Sequence, residues 1–346
     1  MALSHGRSGC SHRIRRSRRG RAPQIVLTVG TGITFTAVVL ASGATAASAG
    51  SGAARATAVP SISSLIASPA SSATLPVPAL TTSAPTVATQ PTATSPIPRA
   101  TATTAATFTT ALTAAWRSYL AGRPGSISVA LYDENSDQTV YVTKNRRTGW
   151  ETASTVKLDI LADLLSKTGT AGTLPASQLA RAKPMISVSD NNAASALWRT
   201  AGGTAGMNAF YRSLGMTSTT AGSGGYWGLT ETTALDQLKV LRAVSYPGPY
   251  LSANARSTAT SLLNTVIPAQ RWGLTAGVPA SVSVQLKNGW LPHGPGWVVN
   301  SLAHVHGAGK DYVMAVYTRD SATEQTGINT IAGLSRIAWS AVPTGR

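Results

Sequence analysis

The stretch TASTVKLDILADLL, residues 152–165, decides how this chain is interpreted. Its leucines recur at three- and four-residue intervals, which predicts an amphipathic helix that starts near Ser154. Residues three apart share a helix face, so the helix would bring the Lys157 ammonium to the Ser154 hydroxyl. A serine hydroxyl needs an adjacent base to act as a nucleophile, and a lysine serves once burial or positive charge lowers its pKa. Alone, the pair equally fits an exposed helix start that is capped by serine.

A second motif, Ser189-Asp190-Asn191, lies between two predicted helical segments. The Ser189 hydroxyl could relay a proton to a leaving amine. The Asn191 amide could bind a substrate carbonyl while it helps to hold the lysine. The alternative is a helix cap, because Ser, Asp and Asn are the usual capping residues.

A third motif, Lys287-Asn288-Gly289-Trp290, follows the predicted strand Ser281–Leu286. Lys287 would add positive potential and anchor an anionic substrate group. Gly289 would let the backbone approach the substrate closely. The alternative is an ordinary turn at the end of a strand.

Taken in this order and context, the three motifs resemble the signature of the class A β-lactamase family, within the penicillin-recognising serine hydrolases. The resemblance covers about residues 106–343. It implies that Ser154 is the acylated nucleophile, Lys157 its base and Ser189 the proton relay. It also implies that the substrate is held by Asn191, Lys287, Gly289 and Trp290, and that the backbone N–H groups of Ser154 and Trp290 form an oxyanion hole.

The chain departs from the family in its third motif and in its spacing. Asn288 lacks the hydroxyl that the family places there, and residues 290–297 would form a stiff aromatic lip. Ser154 and Ser189 are 35 residues apart, which is short for the family and predicts a trimmed helical lobe.

The larger departure concerns the water that releases the acyl group. Class A enzymes activate this water with a loop glutamate, whereas the matching loop, residues 216–229, has no Asp or Glu. Glu231 and Glu151 are the candidates for a displaced base, and the alternative for each is an ordinary surface or helix-start charge. Asp236 fits a capping box with Thr233 instead. Without a base, acylation would persist while turnover slows by about 10²–10⁴-fold.

Two further matches to the motifs are helix caps by position: Lys167-Thr168-Gly169 at a helix end and Ser252-Ala253-Asn254 at a helix start. His304 and His306 share one strand face, and one of them is a candidate to hold a substrate carboxylate. No neighbouring carboxylate in the sequence completes a metal site around them, so we expect neither a metal nor another cofactor.

The remaining pattern predicts an α+β fold. A helix stopped by Gly122 precedes a hairpin of strands 126–132 and 139–142, a helical middle, strands 281–286, 297–305 and 312–318, and a helix over 328–342. Hairpin connections make the sheet antiparallel. We therefore expect a β-lactamase/transpeptidase-like, five-stranded antiparallel sheet flanked by helices, with a separate, trimmed all-α lobe.

Composition divides the chain into three parts. Residues 1–49 combine seven arginines, an apolar run and an A-x-A pattern, which predicts a cleaved export signal or, alternatively, a membrane anchor. Residues 50–105 are rich in Ala, Thr, Ser and Pro without an aromatic residue, which predicts a disordered stalk. Residues 106–346 would form the catalytic domain.

The charge and the cysteine count limit the function classes. The chain carries 29 basic and 12 acidic side chains, and the basic ones of the body are scattered rather than clustered with aromatics, so we expect no nucleic-acid partner. The only cysteine, Cys10, lies in the leader, which excludes disulfides and cysteine chemistry from a mature body. We expect an extracytoplasmic monomer, with cell-wall or membrane association through its N-terminal segment.

Three functions follow from these observations. The first is a serine hydrolase that resembles class A β-lactamases and cleaves a β-lactam or related amide through an acyl-enzyme at Ser154. The second is a D,D-peptidase that acts on peptidoglycan stem peptides. The third is a slow or non-catalytic penicillin-binding or wall-binding module.

Overall fold

The computed structural model describes residues 102–345, with side chains from residue 107 onward. The predicted export signal, residues 1–49, lies outside the described residues, as does the predicted stalk up to residue 101. Helix α1 begins at Ala102, the first described residue, and includes the predicted boundary at 105/106, which stays a prediction. The helix ends at Ala121, directly before the predicted stop at Gly122.

A five-stranded antiparallel sheet forms the centre of the fold, as predicted, in the order β2-β1-β7-β6-β5. Its strands are β1 (Ser126–Asp133), β2 (Gln138–Lys144), β5 (Ser283–His293), β6 (Gly296–Gly307) and β7 (Lys310–Ser321). Every residue of β1 is buried because helices cover both faces of the sheet. A separate two-stranded sheet pairs β3 (Trp150–Glu151) with β4 (Glu231–Thr232).

The helices divide between the two faces of the five-stranded sheet. On one face, α1 packs on β2 and on α8 (Glu324–Ala341), where Trp116 Nε1 donates a hydrogen bond to the Leu334 carbonyl at 3.2 Å. On the other, α6 (Ala234–Ser245) packs on β1, β6 and β7. The remaining helices belong to the helical middle: α2 (Val156–Ser166), α3 (Ala176–Ser187), α4 (Asn191–Thr200), α5 (Gly203–Ser213) and α7 (Ala253–Leu263).

The last three strands are longer than the sequence pattern predicted. β5 and β6 continue through residues 290–297 and meet at a turn around Gly294, so the predicted aromatic lip is a β-hairpin. None of the described helices combines the length and hydrophobicity needed to cross a bilayer.

Candidate active site

The proposed nucleophile, Ser154, lies in a single 3₁₀ turn, Ala153–Thr155, that leads directly into α2. Ala153 adopts a left-handed backbone with φ 48°, a conformation that side chains rarely accept without support. The Thr155 hydroxyl supplies that support through hydrogen bonds to the Thr152 carbonyl at 2.7 Å and to the Tyr317 hydroxyl at 2.8 Å. The turn is thereby tied to β7, and Ser154 faces the cavity described below.

Lys157 is the centre of the site. Its Nζ lies 2.9 Å from Ser154 Oγ, 2.9 Å from Ser189 Oγ, 2.6 Å from the Ser189 carbonyl and 2.8 Å from Asn191 Oδ1. The side chain is 0% exposed. Burial lowers the pKa of its ammonium from the ordinary 10.5 to about 7, against the smaller opposing effect of the Asp190 carboxylate.

The partners of Lys157 define what its neutral form does. The Ser189 carbonyl and Asn191 Oδ1 can only accept hydrogen bonds, so they take the two N–H groups of a neutral amine. The lone pair of Lys157 Nζ is then free to accept a proton from a hydroxyl group. The hydroxyl oxygens of Ser154 and Ser189 each lie 2.9 Å from this nitrogen. The arrangement therefore suits a lysine that removes the proton of a serine nucleophile.

Ser189 is held in a strained position between two lysines. Its backbone is left-handed, with φ 60°, which costs on the order of 1–3 kcal/mol for a residue with a side chain. Asp190 caps α4 through a 2.6 Å hydrogen bond from Ala193 N, as the helix-cap interpretation of this motif required. The same motif thus serves both purposes: Asp190 caps the helix, while Ser189 and Asn191 bind Lys157.

Lys287 reaches the site through Ser189. Its Nζ donates to Ser189 Oγ at 3.1 Å and to the Asn288 carbonyl at 2.8 Å, and the side chain is fully buried. Burial, followed by the nearby Lys157, lowers the pKa of the Lys287 ammonium well below its ordinary value. The role of Lys287 as an anchor for a substrate anion stays a prediction; its ammonium contacts Ser189, and Lys287 is not among the residues that line the cavity.

Gly289 lies against the turn that carries the nucleophile. A Cβ at this position would lie 2.6 Å from the Ser154 nitrogen, 2.7 Å from the Thr155 nitrogen and 2.9 Å from the Thr152 carbonyl oxygen. The absent side chain therefore lets β5 pack directly on this turn, and the predicted close approach to substrate stays a prediction. Asn288 points away from this contact, since its amide donates to the Gln270 and Trp272 carbonyls at 2.8 and 3.0 Å.

A cavity of about 350 Å³ opens beside Ser154. One side is formed by Ala153, Ser154, Asn191, Trp290 and Leu291. The other, which we call the loop wall, consists of residues 225–229. We call Lys157, Ser189, Asn191 and Lys287 the polar cluster; its two lysines are fully buried, and its Asn191 also lines the cavity. No Asp, Glu, Lys, Arg or His is among the residues that line the cavity.

Neither candidate for a displaced base lines this cavity. Glu231 is exposed on β4, where its side chain packs over Gly149: a Cβ added there would lie 2.8 Å from Glu231 Cβ. Glu151 is buried on β3, paired with Arg319 and 3.7 Å from His293 Nε2. These positions argue against the predicted water-activating role of Glu231 and the alternative role of Glu151.

Sequence reasoning missed Trp227, because it examined loop 216–229 only for an acid. The Trp227 ring lies with its centroid 4.8 Å from Lys157 Nζ, and its Nε1 donates to Ser195 Oγ on α4 at 3.1 Å. An aromatic residue inside a glycine-rich loop was the available signal.

Asp236 fixes the start of loop 216–229 by accepting hydrogen bonds from Ser218 N at 2.8 Å and Thr219 Oγ1 at 2.9 Å.

The capping box at the start of α6 is half formed. The Thr233 hydroxyl accepts from Asp236 N at 3.1 Å, whereas the Asp236 carboxylate is directed to the loop.

The two further matches to the motifs, Lys167-Thr168-Gly169 and Ser252-Ala253-Asn254, are helix caps, as predicted. Lys167 ends α2 and pairs with Asp163 at 2.6 Å, and Ser252 caps α7 through Ala255 N at 3.2 Å.

The two histidines of β6 belong to a separate buried network. His304 contacts Gln285 Oε1 at 3.0 Å and Asp311 Oδ1 at 2.8 Å, so a carboxylate does lie beside it, contrary to the sequence expectation. Both ring nitrogens of His304 are thereby engaged, and neither histidine lines the cavity, which argues against a role in holding substrate. Within residues 102–345, no group of three or more His, Cys, Asp or Glu side chains is placed to hold a metal ion.

Comparison with known proteins places these features in context. The model of the beta-lactamase enzyme family matches residues 165–342, more than half of the 346-residue chain. The matched region contains Ser189, Asn191 and Lys287 and begins eight residues after Lys157. No curated protein sequence matches the chain.

Solved structures of class A beta-lactamases share the fold at low identity. A class A beta-lactamase from Bacteroides cellulosilyticus DSM 14838 is 20% identical, with a TM-score of 0.59 over 68% of this chain and 98% of that one. A beta lactamase from Xanthomonas campestris pv. campestris is 19% identical, with a TM-score of 0.57 over 68% and 98%. The TLA-3 extended-spectrum beta-lactamase is 19% identical, with a TM-score of 0.59 over 67% and 98%.

Proposed function

The chain belongs to the beta-lactamase enzyme family, and on this premise we propose that it is a serine hydrolase whose Ser154 is acylated by a β-lactam or a related amide. The observation that carries the proposal is the position of Lys157. Its Nζ lies 2.9 Å from Ser154 Oγ, and two of its other partners can only accept hydrogen bonds. An amine with a pKa near 7 in that position is a suitable general base at neutral pH.

In the proposed acylation step, Ser154 Oγ attacks the amide carbonyl carbon while its proton passes to Lys157 Nζ. Ser189 contacts both lysines, so it can deliver a proton to the leaving nitrogen as the C–N bond breaks and recover one from Lys157. The carbonyl oxygen gains negative charge in this step. We assign its stabilisation to the backbone N–H groups of Ser154 and Trp290; the missing Cβ of Gly289, the residue before Trp290, lets β5 approach the Ser154 nitrogen.

The substrate would enter the cavity between Trp290 and the loop wall. Asn191, which lines the cavity and also contacts Lys157, is the proposed amide partner of the substrate. Lys287 would add positive potential through Ser189. The aromatic and aliphatic side chains of this cavity favour an apolar acyl group.

A D,D-peptidase is the second candidate function. It is favoured by a specific observation: none of the side chains that line the cavity is a carboxylate that could activate water in the manner of class A enzymes. Peptidases of this type share the acylation step, so Ser154 and Lys157 would keep the same roles. The leader and stalk predicted from residues 1–105 support an extracytoplasmic setting for either activity.

The experiment that tests the proposal uses the purified protein and its Ser154→Ala variant. Both are incubated with a fluorescent penicillin, a chromogenic cephalosporin and a peptide that ends in D-Ala-D-Ala. We expect covalent label on the wild type alone. Rapid colour supports β-lactam hydrolysis, and peptide cleavage with slow colour supports the peptidase. Absence of label, colour and peptide cleavage with the wild type, or equal label on Ser154→Ala, would contradict both.

A further inference from the structure

Lys157 Nζ is enclosed on the side of the loop wall by an aromatic ring. Its four polar partners are the two serine hydroxyls, the Ser189 carbonyl and the Asn191 amide oxygen, and its fifth neighbour is the Trp227 ring at 4.8 Å. With the lysine side chain 0% exposed, solvent has no contact with it. On the loop-wall side, the Trp227 ring takes the place of a water that could contact Lys157 Nζ.

Several contacts fix Trp227 in that place. Its Nε1 donates to Ser195 Oγ at 3.1 Å, and its carbonyl accepts from Thr230 N at 3.1 Å. Thr230 in turn accepts from Thr152 N at 2.8 Å, which ties the loop wall to the segment before the nucleophile. The following residue, Gly228, lies against Ala153, since a Cβ added at Gly228 would be 3.7 Å from Ala153 Cα. The ring is therefore held by two elements, α4 and the nucleophile turn.

Hydrolysis of the acyl-enzyme needs a base for its water. The water oxygen must attack the ester carbonyl carbon and give up a proton, and the C–Oγ bond must then break as Ser154 recovers one. Loop 216–229 supplies no carboxylate for this proton, so Lys157 is the base within reach of Ser154. Water needs two to four polar partners to occupy a buried site, and the Trp227 ring offers none on its face beyond weak contacts.

We propose that Trp227 is a positioning residue that keeps water away from Lys157 and thereby makes the acyl-enzyme at Ser154 long-lived. The proposal rests on the function proposed above, because it presumes that Ser154 is acylated. It explains how one site can combine a well-placed acylation base with a loop that lacks the family's glutamate. The protein would capture its substrate rapidly and release it slowly.

The test measures how fast the acyl group is lost. Wild type and Trp227→Ala are labelled with a fluorescent penicillin, freed of excess reagent and followed by intact-protein mass spectrometry. We expect the label to be lost about tenfold faster from Trp227→Ala, below the roughly 10²–10⁴-fold contribution of a positioned base, because water is admitted but not precisely oriented. Ser195→Ala, which keeps the indole but removes its hydrogen bond, should give a smaller acceleration.

The matched control is Tyr250→Ala. Tyr250 is 42% exposed and is not among the residues that line the cavity, so its removal takes away an exposed aromatic ring and leaves the loop wall unchanged. Its label should persist as long as in wild type. A second readout is pH: hydration favours the ammonium, so the midpoint of label loss in Trp227→Ala should lie above the pKa of about 7 in wild type.

Each outcome decides the proposal. Equal lifetimes in wild type and Trp227→Ala, or equal acceleration in Tyr250→Ala, would overturn it. If Trp227→Ala does not fold, as judged by thermal unfolding, Ser195→Ala carries the same test, and an unchanged lifetime in that variant would overturn it. A wild type that takes no label but rapidly hydrolyses the chromogenic cephalosporin overturns this inference alone, whereas one that shows neither label nor hydrolysis contradicts the proposed function as well.

Discussion

The polar cluster and the loop wall face the same serine but differ in chemistry. Lys157, Ser189, Asn191 and Lys287 are linked by hydrogen bonds of 2.6–3.1 Å, and the two lysines are fully buried. The loop wall contributes glycines, Tyr226, Trp227 and Leu229, without a charged side chain. The difference indicates that acylation of Ser154 and release of the acyl group, the two halves of the proposed acyl-transfer cycle, depend on separate elements. One half can be complete where the other lacks its base.

The largest effect should come from breaking the polar cluster at Lys157. Lys157→Met removes the base but keeps an unbranched side chain of similar length. We expect acylation by a fluorescent penicillin to slow by about 10²–10⁴-fold, the usual contribution of a positioned general base. Stopped-flow labelling measures this rate directly.

Lys167→Met is the matched control for that substitution. Lys167 lies at the end of α2, with its side chain 54% exposed and paired with Asp163, so the same chemical change occurs on one helix outside the site. Its labelling rate should equal that of wild type. Labelling of Lys157→Met at the wild-type rate would show that another group activates Ser154.

The sequence predicted the polar cluster better than the loop wall, and the reason is physical. Ser154 and Lys157 are neighbours on one turn, so local spacing determines their contact. Ser189-Asp190-Asn191 and Lys287 were found because each motif has a fixed residue pattern and a fixed local context. The five-stranded sheet followed from alternating hydrophobic runs, and its strand order is consistent with the hairpin connections.

Other features depend on contacts between distant segments and were missed for that reason. Trp227 meets Lys157 across 70 residues of sequence, and no local pattern reports such a contact. The sequence predicted a close backbone approach at Gly289 but not the contact with the Ser154 turn, because sequence does not tell which backbone approaches. Glu151 was a candidate base by proximity in sequence, whereas its ion pair with Arg319 became visible only once β3 and β7 were placed.

The pH dependence of acylation should report the polar cluster with an intermediate effect. Burial lowers the pKa of Lys157 to about 7, and only the neutral amine can accept the proton of Ser154. The rate should therefore rise with pH up to about 7 and then level off, falling about tenfold for each unit below 7. Labelling rates between pH 5 and 9, corrected for the Ser154→Ala background, measure this profile.

A flat profile between pH 5 and 8 would contradict this assignment. If the midpoint of the acylation rate lay well above pH 7, Lys157 would be more hydrated than its complete burial in the structure indicates. The Trp227→Ala variant sharpens the comparison, since it hydrates Lys157 from the loop wall without altering any hydrogen-bond partner of the polar cluster.

The smallest effect should come from giving the loop wall the group that it lacks. Leu229 lines the cavity and is 43% exposed, so Leu229→Glu would add a carboxylate at little cost in packing. We expect loss of label to accelerate by about tenfold or less, because a base that no neighbouring contacts orient stays below the usual 10²–10⁴-fold contribution.

Leu229→Gln has nearly the same shape without the charge and should leave the lifetime of the label unchanged. A carboxylate near Lys157 also favours the ammonium, so the midpoint of acylation in Leu229→Glu should move upward in pH, whereas in Leu229→Gln it should not. Equal lifetimes of the label in Leu229→Glu and Leu229→Gln would mean that Trp227 excludes water even when the loop wall contains a carboxylate. The shielding ring, rather than the missing glutamate, would then limit release.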